Sequence, residues 1–281
     1  MGSALAQVLT ANGLKVLGYD VNPASCRELA AIGGKVASDA GEVIRGCDRI
    51  LLSLPSSDIV QEVLTKSADH LRRGHLLIDA TTGVPAEAAA LGQRLAEQGI
   101  HYLDATISGS SAQICGAETV VLAGGDAAAF EQCQELFRLF ARKAFHVGPC
   151  GSGSTMKLVV NLVLGLNRAA LAEGLSFAKA VGLDPAAALI VLKESAAHSR
   201  IMDGKGEKML NGEFSPQARL SQHLKDVRII LSEGFAAGIA LPLSQAHRGL
   251  LEIVEAAGYG QLDNSAIIRA FDPLCVRKED E

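Results

Sequence analysis

HLLIDATTGVPAEAAALGQRLAEQGIHYLDA, residues 75 to 105, carries three signals in succession. An apolar run ends at Asp79-Ala80, a helical pattern follows with Pro85 at its first position, and a second apolar run ends at Asp104-Ala105. Short continuous apolar runs are strands buried on both faces, and proline is preset for the first turn of a helix. Strand, helix and strand within about thirty residues make a parallel pair joined by a crossover helix.

The same alternation extends outward in both directions. Further strands are predicted at 15–20, 49–55, 119–125 and 143–148, and further helices at 24–32 and 127–141, the latter capped by Asp126. Repetition of this unit predicts an α/β doubly wound parallel sheet. After residue 150 the strand signals cease. Residues 154–181 form one helical pattern, about 40 Å long at 1.5 Å per residue, which Gly182 stops. Helices are predicted again from Asp184-Pro185 to 195, and over 220–237, 242–257 and 263–271. The expected domains are therefore a sheet domain over 1–150, an all-helical domain over 151–275 built on the long helix, and a charged tail at 276–281.

Composition narrows the function. A net charge of −5 with no long Lys/Arg run, and only 4% aromatic residues, leave no footprint for nucleic acid. The six cysteines include no C-x-x-C pair and the seven histidines no metal-ligand spacing, so no metal is expected and the thiols read as reduced. The apolar run 158–171 is broken by Asn161, Asn167 and Arg168, which makes it too short and too polar to span a bilayer. The N-terminus lacks the basic segment of a signal peptide. A cytoplasmic protein without membrane partners is expected.

Three stretches carry candidate chemistry. GPCGSGSTMKLVVNLVLGL (148–166) opens with glycines and then places Lys157 and Asn161 four residues apart on an apolar helix, so both polar tips project into one small volume. A lysine against an apolar wall has its pKa pushed down toward the range of proton exchange; the plainer reading lays its stem along the helix with the tip in water. DATISGSSAQICGAE (104–118) offers hydroxyls and unhindered backbone N–H groups suited to a carboxylate, or simply a turn. MGSALAQVL starts with Gly2 and a helical pattern, and the strand that follows ends in Asp20. These fit the last glycine of G-x-G-x-x-G, which allows close helix packing, and the acid that accepts from the adenosine ribose.

Taken together, these motifs resemble the β-hydroxyacid dehydrogenase family, which includes 3-hydroxyisobutyrate, tartronate semialdehyde and L-threonate dehydrogenases. The resemblance runs from Met1 to about Pro273. Met1-Gly2 looks like the end of a G-x-G-x-M-G loop, Leu54-Pro55 and Thr81-Thr82 match cofactor-side loops, and 104–110 matches the D-A-P-V-S-G-G substrate loop. Gly148, Gly151, Gly153, Lys157 and Asn161 match G-x-x-G-x-G-x-x-x-K-x-x-x-N, and Lys225-Asp226 matches a late K-D pair.

The resemblance implies a Rossmann-type domain followed by a helical domain, with Lys157 and Asn161 facing the cleft between them. It makes Lys157 the acid/base and Asn161 the residue that orients the substrate hydroxyl. Ser108, Gly109 and Ser110 hold the substrate carboxylate, while Gly2, Asp20, Leu54, Pro55, Thr82, Lys225 and Asp226 belong to the cofactor side. It further implies NAD rather than NADP, a small hydroxy-acid substrate, and a homodimer or homotetramer. An imine reductase or a non-catalytic dimeric binding protein on the same scaffold are the alternatives; the first typically replaces the lysine, and both residues are kept here.

The sequence departs from the pattern in three places: the first strand and first two glycines do not precede Gly2, Thr106 stands at the loop's proline, and Ser110 at its last glycine. The first reads as an N-terminal truncation and the other two as changes to the substrate loop. A sheet lacking its first strand exposes apolar edge, so the chain as written is expected to bind NAD weakly and to aggregate. An upstream extension of roughly ten to fifteen residues, a strand plus its glycine turn, is expected to restore solubility and affinity, which side-by-side calorimetric NAD titration checks.

Overall fold

The structure is a computed structural model and describes residues 1–272; the tail assigned to 276–281 and the last three residues of the expected helical domain lie outside the described residues. The chain divides into two compact units, Met1–Lys157 and Leu158–Glu281. The division between these compact units falls inside the long helix.

The first unit alternates helices and strands throughout: α1 (Gly2–Ala11), β1 (Leu17–Gly18), α2 (Pro23–Ala31), β2 (Lys35–Val36), α3 (Ala40–Gly46), β3 (Arg49–Leu52), α4 (Ser57–Lys66), β4 (Leu76–Asp79), α5 (Pro85–Glu97), β5 (His101–Ser108), α6 (Ser111–Cys115), β6 (Thr119–Gly125), α7 (Ala127–Arg138) and β7 (Ala141–Gly148). Strands β3 to β7 form one sheet in chain order, and β1 and β2 pair only with each other. All pairings are parallel except β5 with β6, which is antiparallel. The connection 109–118 holds only the short α6, less than a crossover needs, so β6 returns beside β5 in the opposite sense.

Alternate strand residues explain why the runs are apolar throughout. Leu76, Ile78, Leu103, Ala105 and Ile107 pack in one core with Leu5, Ile114, Phe130 and Phe137 from α1, α6 and α7. Ile50, Leu52, Leu77 and Tyr102 pack in the opposite core with Val60, Leu64, Leu91 and Leu95 from α4 and α5. With both faces covered, neither set of alternating positions has water to face.

The second unit is helical. It continues α8 (Ser152–Ala180) and adds α9 (Pro185–Glu194), α10 (Arg200–Asn211), α11 (Leu220–Ala236), α12 (Pro242–Val254) and a tighter turn of helix at Asn264–Phe271. By length and composition α8 could cross a membrane, longer and more apolar than the run 158–171 suggested; 44% of its most apolar window is buried. Ala169, Leu171, Ala172 and Leu175 on it pack with Leu189, Met202, Met209, Leu224, Val227 and Leu251. Helix α10 is not evident in the sequence, since RIMDGKGEKMLN combines two glycines with a polar majority. Burial of Met202 and Met209 holds it, together with Lys205, whose ammonium donates to both Asp263 oxygens at 2.8 and 2.9 Å.

Two buried histidines sit where α8, α11 and α12 meet. The His223 and His247 rings lie 5.2 Å apart, and a Cβ at Gly165 would approach each to 2.6 Å, so only glycine lets α8 come this close. Burial first, then the Arg168 guanidinium, lowers the His247 pKa from 6.5 to about 4. The unfolded chain therefore takes up the proton first, and stability falls as pH drops from about 6.5 toward 4. Asp263, held at about 2, stays ionised across that window. Urea unfolding at pH 7.5 and 5 should show a loss of up to about 2 kcal/mol from this group, and His247→Gln should shrink the difference by that amount.

Candidate active site

The glycine-rich stretch 148–153 brings the start of α8 against the sheet. Asp104 Oδ1 accepts from the Gly151 N–H at 2.9 Å and Oδ2 from the Ser154 N–H at 2.7 Å, so one carboxylate satisfies two donors at the helix start, where such groups lack intrahelical partners. Burial raises the Asp104 carboxyl against the pull of those two bonds. Gly153 fits because a Cβ there would lie 2.1 Å from the Asp104 carbonyl oxygen and 2.6 Å from that of Leu122. Thr106 is buried, and its hydroxyl donates to the Gly153 and Leu122 carbonyls at 3.1 and 3.3 Å. The departure at Thr106 therefore ties β5 to the helix start rather than reshaping the loop tip.

Lys157 follows within the same helical turn, and Asn161 one turn later; both are buried, at 9% and 6% exposure. In the second unit the Asn161 amide nitrogen donates to Asp226 Oδ2 at 2.9 Å, and the Lys225 ammonium lies 3.5 Å from Asp226 Oδ1. This gives Asp226, assigned to the cofactor side, a partner within its own unit. Its carboxylate orients Asn161, a contact spanning 65 residues of sequence, and it does so from a buried position on α11.

Of the cofactor-side residues of the first unit, Asp20, Leu54-Pro55 and Thr82 lie after β1, β3 and β4, at the carboxyl ends where open α/β sheets take their ligands. The Leu54 N–H donates to Thr81 Oγ1 at 3.1 Å, the Thr81 N–H to Asp79 Oδ1 at 2.8 Å, and the Tyr102 hydroxyl to Asp79 Oδ2 at 2.7 Å. Leu54-Pro55 and Thr81-Thr82 are thereby joined through buried groups. Asp20 follows β1 and accepts from the Asn22 N–H at 2.7 Å through Oδ1. Gly2 begins α1, but a Cβ there would meet only Ser53, at 3.7 Å. Close helix packing therefore does not require glycine at this position, contrary to the expectation.

The substrate loop also differs from its reading. β5 continues through Ser108 instead of ending at residue 105, Gly109 turns the chain with φ +147, and Ser110 caps α6. Its hydroxyl accepts from the Gln113 N–H at 3.3 Å, and its own N–H donates to Gln113 Oε1 at 2.8 Å, a reciprocal capping box. Ser110 thus has no backbone donor to spare for a carboxylate, only its hydroxyl proton. Among the described residues no group of three or more His, Cys, Asp or Glu is placed to hold a metal ion.

Residues 1–148 match the profile of the NAD binding domain of 6-phosphogluconate dehydrogenase, and residues 151–271 that described as NAD-binding of NADP-dependent 3-hydroxyisobutyrate dehydrogenase. The chain belongs to the β-hydroxyacid dehydrogenase family. It is 30% identical to an L-threonate dehydrogenase of Cupriavidus necator, over 96% of this chain and 93% of that one. It is likewise 30% identical to a 2-hydroxy-3-oxopropionate reductase of Escherichia coli, over 99% and 96%. The crystal structure of a 3-hydroxyisobutyrate dehydrogenase from Salmonella typhimurium superposes with a TM-score of 0.87 at 26% identity, covering 95% of each chain. A β-hydroxyacid dehydrogenase of this kind uses NAD(P).

Sequence reasoning missed the parts played by Asp79, Tyr102 and Asp104. Their signal is an acid near the end of each of two consecutive apolar strands, LLID and HYLD, where a buried carboxylate needs donors to offset its desolvation. Asp226→Ala should lower kcat/KM for the hydroxy-acid substrate about tenfold or more, the scale of one hydrogen bond to a charged group. Combined with Asn161→Ala it should add less than its own cost, since both changes act on one amide. Steady-state kinetics of the three variants measures the coupling.

Proposed function

We propose that this chain is an NAD-dependent dehydrogenase that oxidises the hydroxyl of a small, 3-hydroxyisobutyrate-like 3-hydroxy acid, with Lys157 as acid/base. The observation that carries the reading is the pair of buried polar side chains, Lys157 and Asn161, one turn apart on a helix whose start is pinned by Asp104. The residues present suit a dinucleotide. Asp20, with one oxygen engaged by Asn22, keeps the other as an acceptor for ribose hydroxyls, and Val21 and Asn22 supply no arginine for a 2′-phosphate. Leu54, Pro55, Thr82 and Lys225 would hold the cofactor, with Thr82 and Lys225 toward the nicotinamide. When bound, NAD accepts the hydride.

The chain's own residues do the rest. Ser108, the Gly109 backbone and the Ser110 hydroxyl bind the carboxylate. Asn161, with one amide N–H given to Asp226, donates its second N–H to the substrate hydroxyl oxygen, which leaves the hydroxyl proton facing Lys157. Lys157 removes the hydroxyl proton at Nζ and returns it in the reverse direction. Positioning of these groups supplies several kcal/mol of the barrier.

The protein is proposed to work in the cytoplasm as a homodimer or homotetramer, without nucleic acid or membrane partners. Phe177, Ile190, Phe235 and Leu243 of the helical unit are each at least 66% exposed, and a second copy would cover such apolar side chains.

A panel of small hydroxy acids assayed with NAD and with NADP tests the reading, and preference for NADP would overturn the assignment of Asp20. Lys157→Met should lower kcat by at least about a hundredfold, the scale of a positioned acid/base, with NAD affinity little changed. Turnover near wild type in that variant would remove the role given to Lys157.

A further inference from the structure

Two buried aspartates of the first unit take no direct part in the chemistry above. Asp79 and Asp104 are partners in the parallel register of β4 on β5, and both are buried, at 5% and 1% exposure. Neighbouring carboxylates in such a setting persist only where each is fully occupied by donors. Their donors differ. Asp79 takes the Thr81 N–H and the Tyr102 hydroxyl, and Thr81 in turn takes the Leu54 N–H. Asp104 takes the N–H groups of Gly151 and Ser154, at the start of the helix that carries Lys157.

We propose that Asp79 and Asp104 are a pair of positioning residues on one rung of the sheet, Asp79 setting the cofactor-side loops and Asp104 setting the helix that carries the acid/base. The proposal rests on the function proposed above and adds a division of labour to it. The sheet's register fixes the spacing between the two backbones, and each side chain passes that fixed point to a different part of the site. Gly124 and Gly153 keep the Asp104 side clear, since a Cβ at Gly124 would lie 2.5 Å from Asp104 Oδ1 and 2.8 Å from the Gly153 nitrogen.

The donor chemistry makes the two positions respond differently to the same substitution. Each Asp104 oxygen faces a backbone N–H, with the Ser154 hydroxyl beside them, so Asp104→Asn must turn its own NH2 toward one N–H and lose that bond. Asp79 faces one N–H and one hydroxyl, and a hydroxyl also accepts, so Asp79→Asn can keep both contacts. Asp104→Asn is therefore expected to lower kcat about tenfold or more, the scale of one charge-assisted hydrogen bond, with the Kd for NAD within about threefold of wild type. Asp79→Ala is expected to raise the Kd for NAD about tenfold or more with a smaller change in kcat at saturating NAD, Asp79→Asn to restore it, and Thr81→Val, which removes the acceptor for Leu54, to follow Asp79→Ala.

The experiment is steady-state kinetics with fluorescence titration of NAD on the full chain, with thermal unfolding alongside. A split between kcat and Kd as described supports the proposal. Parallel losses of both in step with Tm at either position, failure of Asp104→Asn and Asp104→Ser alike to fold, or an unchanged Kd in both Asp79→Ala and Thr81→Val overturns it. If wild type turns over no hydroxy acid, the proposed function fails by itself, and the Asp104 arm is read by hydrogen exchange: faster exchange of the Gly151 and Ser154 amides in Asp104→Asn with Kd unmoved supports the pair, and unchanged exchange overturns it.

Discussion

The carboxylate of Asp104, accepting from two N–H groups at the start of α8, is the contact on which the rest of the molecule depends. The first turn of the 29-residue helix α8 is held to the sheet by this one buried charge. Hydrogen bonds to a charged group contribute roughly 1.5–3 kcal/mol each, enough to offset much of the cost of burying the carboxylate. The backbone reaches Asp104 because Gly124 and Gly153 carry no side chain, and the Thr106 hydroxyl closes the gap beside them. Lys157, in the same turn as Ser154, takes its place from this contact.

The sheet supplies the fixed side of that contact. Its central strands β4 and β5 are mostly apolar because helices cover both faces, and the few buried polar side chains on them each need a partner. Asp79 at the end of β4 accepts from Tyr102 and from the Thr81 N–H, while Asp104 and Thr106 within β5 bond to the start of α8. A β-hydroxyacid dehydrogenase thus has its loops anchored from beneath by groups that water does not reach.

The helical unit has a parallel arrangement of its own. Asp263 accepts from the Lys205 ammonium, from the Gln217, Ala218 and Ser265 N–H groups and from the Ser265 hydroxyl, joining α10, the start of α11 and the last turn. Nearby, Arg168 is 1% exposed, and burial chiefly brings its pKa down to about 10, with Asp263 acting against the shift. Buried charges of this kind confer little net stability by themselves but fail badly when one partner is lost.

The sequence by itself determined what depends on near neighbours along the chain. Continuous apolar runs specified a sheet covered on both faces, Pro85, Asp126 and Pro185 marked helix starts where the structure has them, and the four-residue spacing of Lys157 and Asn161 put both on one face of one helix. These are legible because helix period and capping are local physics. Tertiary structure alone decided the contacts between distant residues: Asp226 with Asn161, Asp104 with Gly151 and Ser154, the register pairing of Asp79 with Asp104, and the antiparallel return of β6. It also bound Ser110 to Gln113 and showed Gly2 in ordinary space. A side chain's partner across 47 or 65 residues is set by which surfaces meet when the cores close, and no periodicity along the chain encodes that meeting.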